Sequence, residues 1–139
     1  MQTLEQQQQL SQSAPPSQKP LILLVEDEQQ LRELLGKILN LAKFRVICAT
    51  SYEDGLELWQ KNQSSIKILI VDYLLGSNIK GTDLVKQCRL TNPALNVLLI
   101  SGLCVEDIDL HLQEGTNFLQ KPFSPTKLIS IIHSMLARP

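Results

Sequence analysis

Four apolar residues run straight into a carboxylate in the stretch "ILIVD" (68–72), which ends on Asp72. An ionised carboxyl at the end of an apolar strand costs free energy unless something neutralises it. Polar groups follow three other apolar runs in the same way. "LILLV" (21–25) leads into Glu26-Asp27-Glu28, "NVLLIS" (96–101) ends on Ser101 before Gly102, and "NFLQ" (117–120) leads into Lys121-Pro122. Acids, a hydroxyl and an ammonium at such positions share one chemical logic. Clustered carboxylates keep their ionised form when a cation sits between them. Magnesium takes hard oxygen ligands, often one or two carboxylates with waters and a phosphoryl oxygen. A carboxylate can attack phosphorus to form an acyl phosphate, and that transfer needs positive charge around the phosphoryl oxygens. The pattern casts Asp72 as a nucleophile neutralised by Mg2+ and Lys121, with Ser101 donating a hydrogen bond to a phosphoryl oxygen.

Each residue also has a duller reading. Asp72 and Ser101-Gly102 are turn formers. Glu26-Asp27-Glu28 would suit the start of a helix, where acids complement the macrodipole. Lys121 would serve as surface charge. The site reading gains its weight from all four strand ends together.

Those residues converge only if the strands lie parallel in one sheet. The chain alternates as such a fold requires. Apolar runs at 21–25, 44–49, 66–71, 96–101 and 117–120 predict five strands. Leu31, Leu34, Leu35, Ile38 and Leu39 recur at helical spacing within 28–42, as do Leu56 and Trp59 within 51–62 after a Ser51 N-cap. Further helices are predicted over 81–92, stopped by Pro93, over 104–114, ended by Gly115, and from Pro125 behind a Ser124 cap. Strands this apolar are buried on both faces. The expected fold is α/β: a doubly wound (βα)5 unit around a five-stranded parallel sheet, in the flavodoxin-like order 2-1-3-4-5. In that order strands one, three, four and five are neighbours, and their carboxyl ends share one edge.

Composition bounds the rest. The 139 residues suit one domain. Residues 1–19 are Gln, Ser and Pro with little to bury, a flexible tail ahead of a domain at 20–139. The net charge of −1 argues against a broad grip on nucleic acid or an anionic membrane. No apolar run approaches the length of a membrane span, and the N-terminus lacks a signal pattern, so the expected location is cytoplasmic. Cys48, Cys88 and Cys104 form no CxxC pair and read as reduced, mostly buried thiols.

With these residues in place, the sequence resembles a response-regulator receiver domain of two-component signalling, a member of the CheY-like superfamily, from Pro20 to about Ala137. The resemblance is carried by "ILLVEDE", "ILIVDYLLG", "GTDLVKQCR", "VLLISG" and "NFLQKPF" taken together. It implies that Glu26 and Asp27 hold Mg2+, with Asp27 the more direct ligand. It further implies that Asp72 is the phosphoacceptor, that the Leu74 backbone carbonyl joins the metal, and that Ser101 and Lys121 engage the phosphoryl group. Phe118 matches the aromatic switch whose ring turns inward when Ser101 moves. The implied donor is a sensor histidine kinase or a phosphotransfer protein. The output is then a downstream protein target, without direct nucleic-acid or membrane contact. The chain would be no enzyme beyond catalysing its own aspartyl phosphorylation and dephosphorylation.

The sequence departs from the family in three places. The loop "YLLGSNIKG" after Asp72 lacks the common proline and is about one residue longer. The stretch from Ser101 to Lys121 is short, which puts the fourth helix and a standard output face in doubt. Leu74 and Leu103 stand where polar residues in the family can assist hydrolysis, so a long-lived acyl phosphate is expected. The last helix carries Leu128, Ile129, Ile131, Ile132, Met135 and Leu136, an arc wide enough for core plus a homodimer or partner surface. Among rivals, an FMN binder would need a phosphate-cradling first loop, not three acids. A haloacid-dehalogenase-like phosphatase would carry a second Asp where Leu74 stands. A degenerate receiver, binding without phosphorylation, is the alternative, yet neither the acids nor the lysine are lost.

Overall fold

A computed structural model describes residues 19–76, 78–103 and 111–137 of the chain. Five strands, β1 (Leu21–Val25), β2 (Arg45–Ala49), β3 (Ile66–Asp72), β4 (Asn96–Ser101) and β5 (Phe118–Gln120), form one sheet in the order β2-β1-β3-β4-β5. Every neighbouring pair is parallel. Four described helices cover the sheet: α1 (Gln29–Leu41), α2 (Tyr52–Asn62), α3 (Gly81–Thr91) and α4 (Pro125–Ala137).

The two faces of β1 explain why the strand runs do not alternate in polarity. Leu21, Leu23 and Val25 pack with Trp59 of α2 and with Leu84, Val85 and Cys88 of α3. Ile22 and Leu24 pack on the other face with Leu35 and Leu39 of α1 and Leu128, Ile131 and Ile132 of α4. Both faces are core, so every position of β1 is apolar and buried. The edge strand β2 is only half-buried.

Helix starts follow the sequence signals. Ser51 Oγ accepts from the Asp54 amide at 3.1 Å, and Ser124 Oγ accepts from the Lys127 amide at 3.1 Å. Some expectations need correction. Leu34 belongs to the predicted apolar face of α1 but is 54% exposed. Cys48 is exposed on β2, while Cys88 is buried as expected and Cys104 lies outside the described residues. The predicted tail lies outside them too, save Lys19, whose carbonyl accepts from Arg45 Nη1 at 2.9 Å. Of the helix expected over 104–114, residues 104–110 are not described, and 111–114 are not helical. Side-chain bonds compete with helix there. Asn117 Oδ1 accepts from the Gln113 amide, Asn117 Nδ2 donates to the His111 carbonyl, and His111 takes φ 50°.

The loop after Asp72 closes as a small antiparallel bridge between Leu74 and Lys80. The Tyr73 carbonyl accepts from Gly81 N at 2.6 Å, and Leu75 N donates to the Ile79 carbonyl at 2.8 Å. This brings the first turn of α3 onto the end of β3. A Cβ at Gly81 would overlap the Asp72 carbonyl and press on Val71 Cγ2. Replacing Gly81 with Ala is expected to cost about 2–4 kcal/mol, because the obstacle is backbone at a strand end and cannot rotate away. Urea unfolding of Gly81→Ala beside wild type measures this.

Candidate functional site

The sheet register brings the polar residues together. Val25 pairs with Val71, so Glu26 and Asp72 leave adjacent strands side by side. Asp72 pairs with Ile100, which sets Ser101 one residue further along the next strand. Ser101 pairs with Gln120, and the Lys121 amide donates to the Ser101 carbonyl at 2.8 Å. One edge therefore carries the ends of β1, β3, β4 and β5.

Carboxylate oxygens of Glu26, Asp27 and Asp72 lie within 4.8 Å of one another. Glu26 is buried and Asp27 exposed, and the Asp72 side chain is only 12% exposed. Lys121 Nζ reaches into this cluster and donates to Asp72 Oδ2 at 2.8 Å. The other oxygen, Oδ1, accepts from the Leu74 amide at 3.3 Å. The like charge of Asp72 this close raises the cost of ionising Glu26. Burial first, and then the hydrogen bond and charge of Asp72, push the Glu26 carboxyl up to about 8; Lys121 and the Glu28 amide pull it back only in part.

Arg32 was not singled out in the sequence. Its Nη1 donates to the Glu26 carbonyl at 2.9 Å and ties α1 to the end of β1. Gly81, also unremarked, lets α3 close over the Asp72 backbone. A glycine at the first position of a helix that follows a polar loop was the available signal for it.

The other residues of the expected site have definite places. Ser101 is 2% exposed, and its Oγ accepts from the Leu103 amide at 3.0 Å. The side chains of Leu74 and Leu103 are exposed. The bridge from Leu74 to Lys80 uses the Tyr73 carbonyl and the Leu75 amide, so it does not consume the Leu74 carbonyl. Phe118 opens β5 opposite Leu99 and is buried in the same core as residues of α2 and α3. The Lys121–Pro122 peptide is cis. His111 and His133 lie on loop and helix positions away from these strand ends.

The donor set is all hard oxygen at one open edge, with an ammonium beside it. That chemistry suits a small divalent cation and a phosphoryl group. Among the described residues no thiolate or imidazole takes part, so this donor set does not favour a soft metal.

Comparison with known proteins agrees with the fold. The family described as "Response regulator receiver domain" matches residues 22–133. The chain is 35% identical over 118 residues to the transcriptional regulatory protein CssR of Bacillus subtilis (strain 168), covering 83% of this chain and 50% of that protein. It is 29% identical over 120 residues to the phosphate regulon transcriptional regulatory protein PhoB of Klebsiella pneumoniae, covering 84% and 52%. The chain thus spans about half the length of these curated relatives. Among solved structures, the non-phosphorylated HemR receiver domain of Leptospira biflexa matches with a TM-score of 0.73 at 26% identity, covering 87% of this chain and 98% of that one. The receiver domain from the hybrid histidine kinase CckA matches with a TM-score of 0.69 at 28% identity, covering 84% and 98%.

The raised Glu26 pKa makes the metal-free protein sensitive to pH. The folded state holds a proton on Glu26 up to about pH 8, whereas an ordinary glutamate releases it near 4.5. In that window the folded state binds more protons than the unfolded state, so this group lowers stability as pH rises through it. With EDTA present, Glu26→Gln is expected to stabilise the protein by ~4 kcal/mol at about pH 8 and by little at about pH 4.5. Denaturant melts of both proteins across pH test the difference.

Proposed function

The chain belongs to the response regulator receiver domain family, and from that premise we propose that it accepts a phosphoryl group on Asp72 and signals by the change that follows. The observation that carries this is the contact of Lys121 Nζ with Asp72 Oδ2 at 2.8 Å inside the three-acid cluster. A lysine held on the one acid that ends a buried strand has little structural purpose, since a neutral residue there would avoid the desolvation cost.

Glu26, Asp27, Asp72 and the Leu74 carbonyl are the residues that would hold Mg2+. Bound there, the ion would supply positive charge to neutralise the acids and the incoming phosphoryl oxygens. The chain's own residues do the rest. An Asp72 carboxylate oxygen attacks phosphorus in line. A P–O bond forms as the P–N bond of a phosphohistidine donor breaks, and the leaving imidazole takes up a proton. Lys121 moves its hydrogen bond from the carboxylate toward the phosphoryl oxygens. Ser101 exchanges its bond with the Leu103 amide for one to the phosphoryl group. Phe118, already packed inward here, reports which arrangement Ser101 holds. The exposed Leu74 and Leu103 side chains can neither orient nor deprotonate a water, which supports a slowly hydrolysed acyl phosphate.

The donor is a histidine kinase or phosphotransfer protein in the cytoplasm. Beside the site an apolar pocket of about 340 Å³ opens between α1 and the start of α4. Leu31, Leu34, Ile38, Pro122 and Phe123 line it, and Lys121 forms its rim toward Asp72. A protein donor that presents phosphohistidine to Asp72 would cover this pocket. No described helix is long and apolar enough to cross a membrane.

Incubation with acetyl phosphate and Mg2+ should add one phosphoryl group to the intact mass. Asp72→Asn and a metal-free control should show none, and the adduct should persist for minutes or longer. No adduct on wild type would end the phosphoacceptor reading, and decay within seconds would end the reading of Leu74 and Leu103. Leu34→Asp should slow transfer from a phosphohistidine protein about ten-fold or more while leaving acetyl phosphate labelling near wild type, because only the former uses the pocket. Parallel time courses with the two donors check this.

A further inference from the structure

Gln120, the residue before Lys121, ends an edge strand of three residues. Its inner side is held by β4, where Ser101 pairs with Gln120 and the Lys121 amide binds the Ser101 carbonyl. Its outer side, where an edge strand is left unpaired, is occupied instead by one carboxylate. The Gln120 amide donates to Glu114, at 3.2 Å to Oε2 and 3.5 Å to Oε1. Glu114 Oε1 also accepts from Lys127 Nζ, in the first turn of α4, at 3.1 Å. The Glu114 backbone is tied down as well: it bridges Phe118, and the Gly115 amide donates to the Phe118 carbonyl at 2.8 Å.

We propose that Glu114, steadied by Lys127, is a positioning residue that clamps the outer edge of β5 and so holds Lys121 on Asp72. The physical need is specific. Lys121 approaches Asp72 from the end of the shortest strand, with one neighbour in the sheet and a turn on its other side. A ladder of three residues leaves that strand end free to fray. Glu114 supplies the missing outer bond, and a charged acceptor makes that bond stronger than a neutral one. Lys127 links the same carboxylate to α4, so the turn carrying Lys121 is fixed at both of its ends. The ion pair is half-exposed and by itself contributes little. Its role is to aim the Glu114 carboxylate.

This inference rests on Asp72 being the phosphoacceptor for its kinetic consequence only. Its structural consequence can be read without phosphorylation. In the metal-free protein, Glu114→Ala should remove the exchange protection of the Gln120 amide and increase the motion of the Lys121 side chain in NMR relaxation at Cε. Glu114→Gln keeps an acceptor for the Gln120 amide and should restore both. With acetyl phosphate, Glu114→Ala should phosphorylate about five-fold slower, because a small displacement of a catalytic group is costly. Its Mg2+ affinity should stay within about two-fold of wild type, since Glu26, Asp27 and Asp72 stand on other strands. Glu114→Gln should recover most of the rate. Unchanged Gln120 protection and Lys121 motion in Glu114→Ala would overturn the inference. So would a loss of Mg2+ affinity parallel to the loss of rate, which marks general disruption. If wild type fails to label while the NMR changes appear, the phosphoacceptor reading fails and the clamp stands.

Discussion

Three carboxylates crowded at one edge of a parallel sheet repel one another, and much of this structure is arranged around that repulsion. Glu26, Asp27 and Asp72 place oxygens within 4.8 Å. Such a cluster is unstable in isolation and is relieved in two ways within the chain: Lys121 pairs with Asp72, and Glu26 holds its proton far above the usual carboxylate range. Both responses are incomplete. They leave a site that would gain free energy when positive charge arrives, and under the proposed function a phosphoryl group would add oxygens that the same lysine can take.

The rigidity needed to hold like charges together comes from the strands beneath them. β1 and β3 are buried on both faces, so their ends cannot drift apart without opening the core. Close backbone approach does the same work on the helix side. Gly81 lets α3 start against the Asp72 carbonyl, and Arg32 ties α1 to the Glu26 carbonyl. By contrast, the lysine comes from the least supported strand. The contacts of Glu114 around β5 are therefore of a different kind: polar, partly exposed and local.

This division of labour has a mechanical sense. The acids stand on fixed strands, whereas Ser101, Phe118 and Lys121 sit on or beside the outer pair, β4 and β5. Ser101 Oγ is bonded to a loop amide, at Leu103, and not to the core. Under the proposed function, a change of partner there would shift the outer edge of the sheet without disturbing the side that carries the acids, as a two-state switch requires.

How much could be read from the residues alone follows from the range of the forces involved. Hydrophobic periodicity is local, so β1 and β4 were legible to the residue, and the Ser51 and Ser124 caps form as their positions require. The acids, Ser101 and Lys121 were legible because each follows an apolar run, and a parallel sheet gathers strand ends by topology. The exposure of Leu34 and Cys48 was not, since residues of one helix or strand face differ in what another element covers. Nor was the non-helical course of 111–114, where Asn117 side-chain bonds outcompete helix. The raised pKa of Glu26, the need for glycine at 81 and the Glu114–Gln120–Lys127 contacts were decided by the tertiary structure. Each depends on distances between groups far apart in the chain or on different elements, and no local pattern encodes those distances. The sequence by itself determined which chemistry was available; packing decided how closely the charges stand, and therefore how strongly they act.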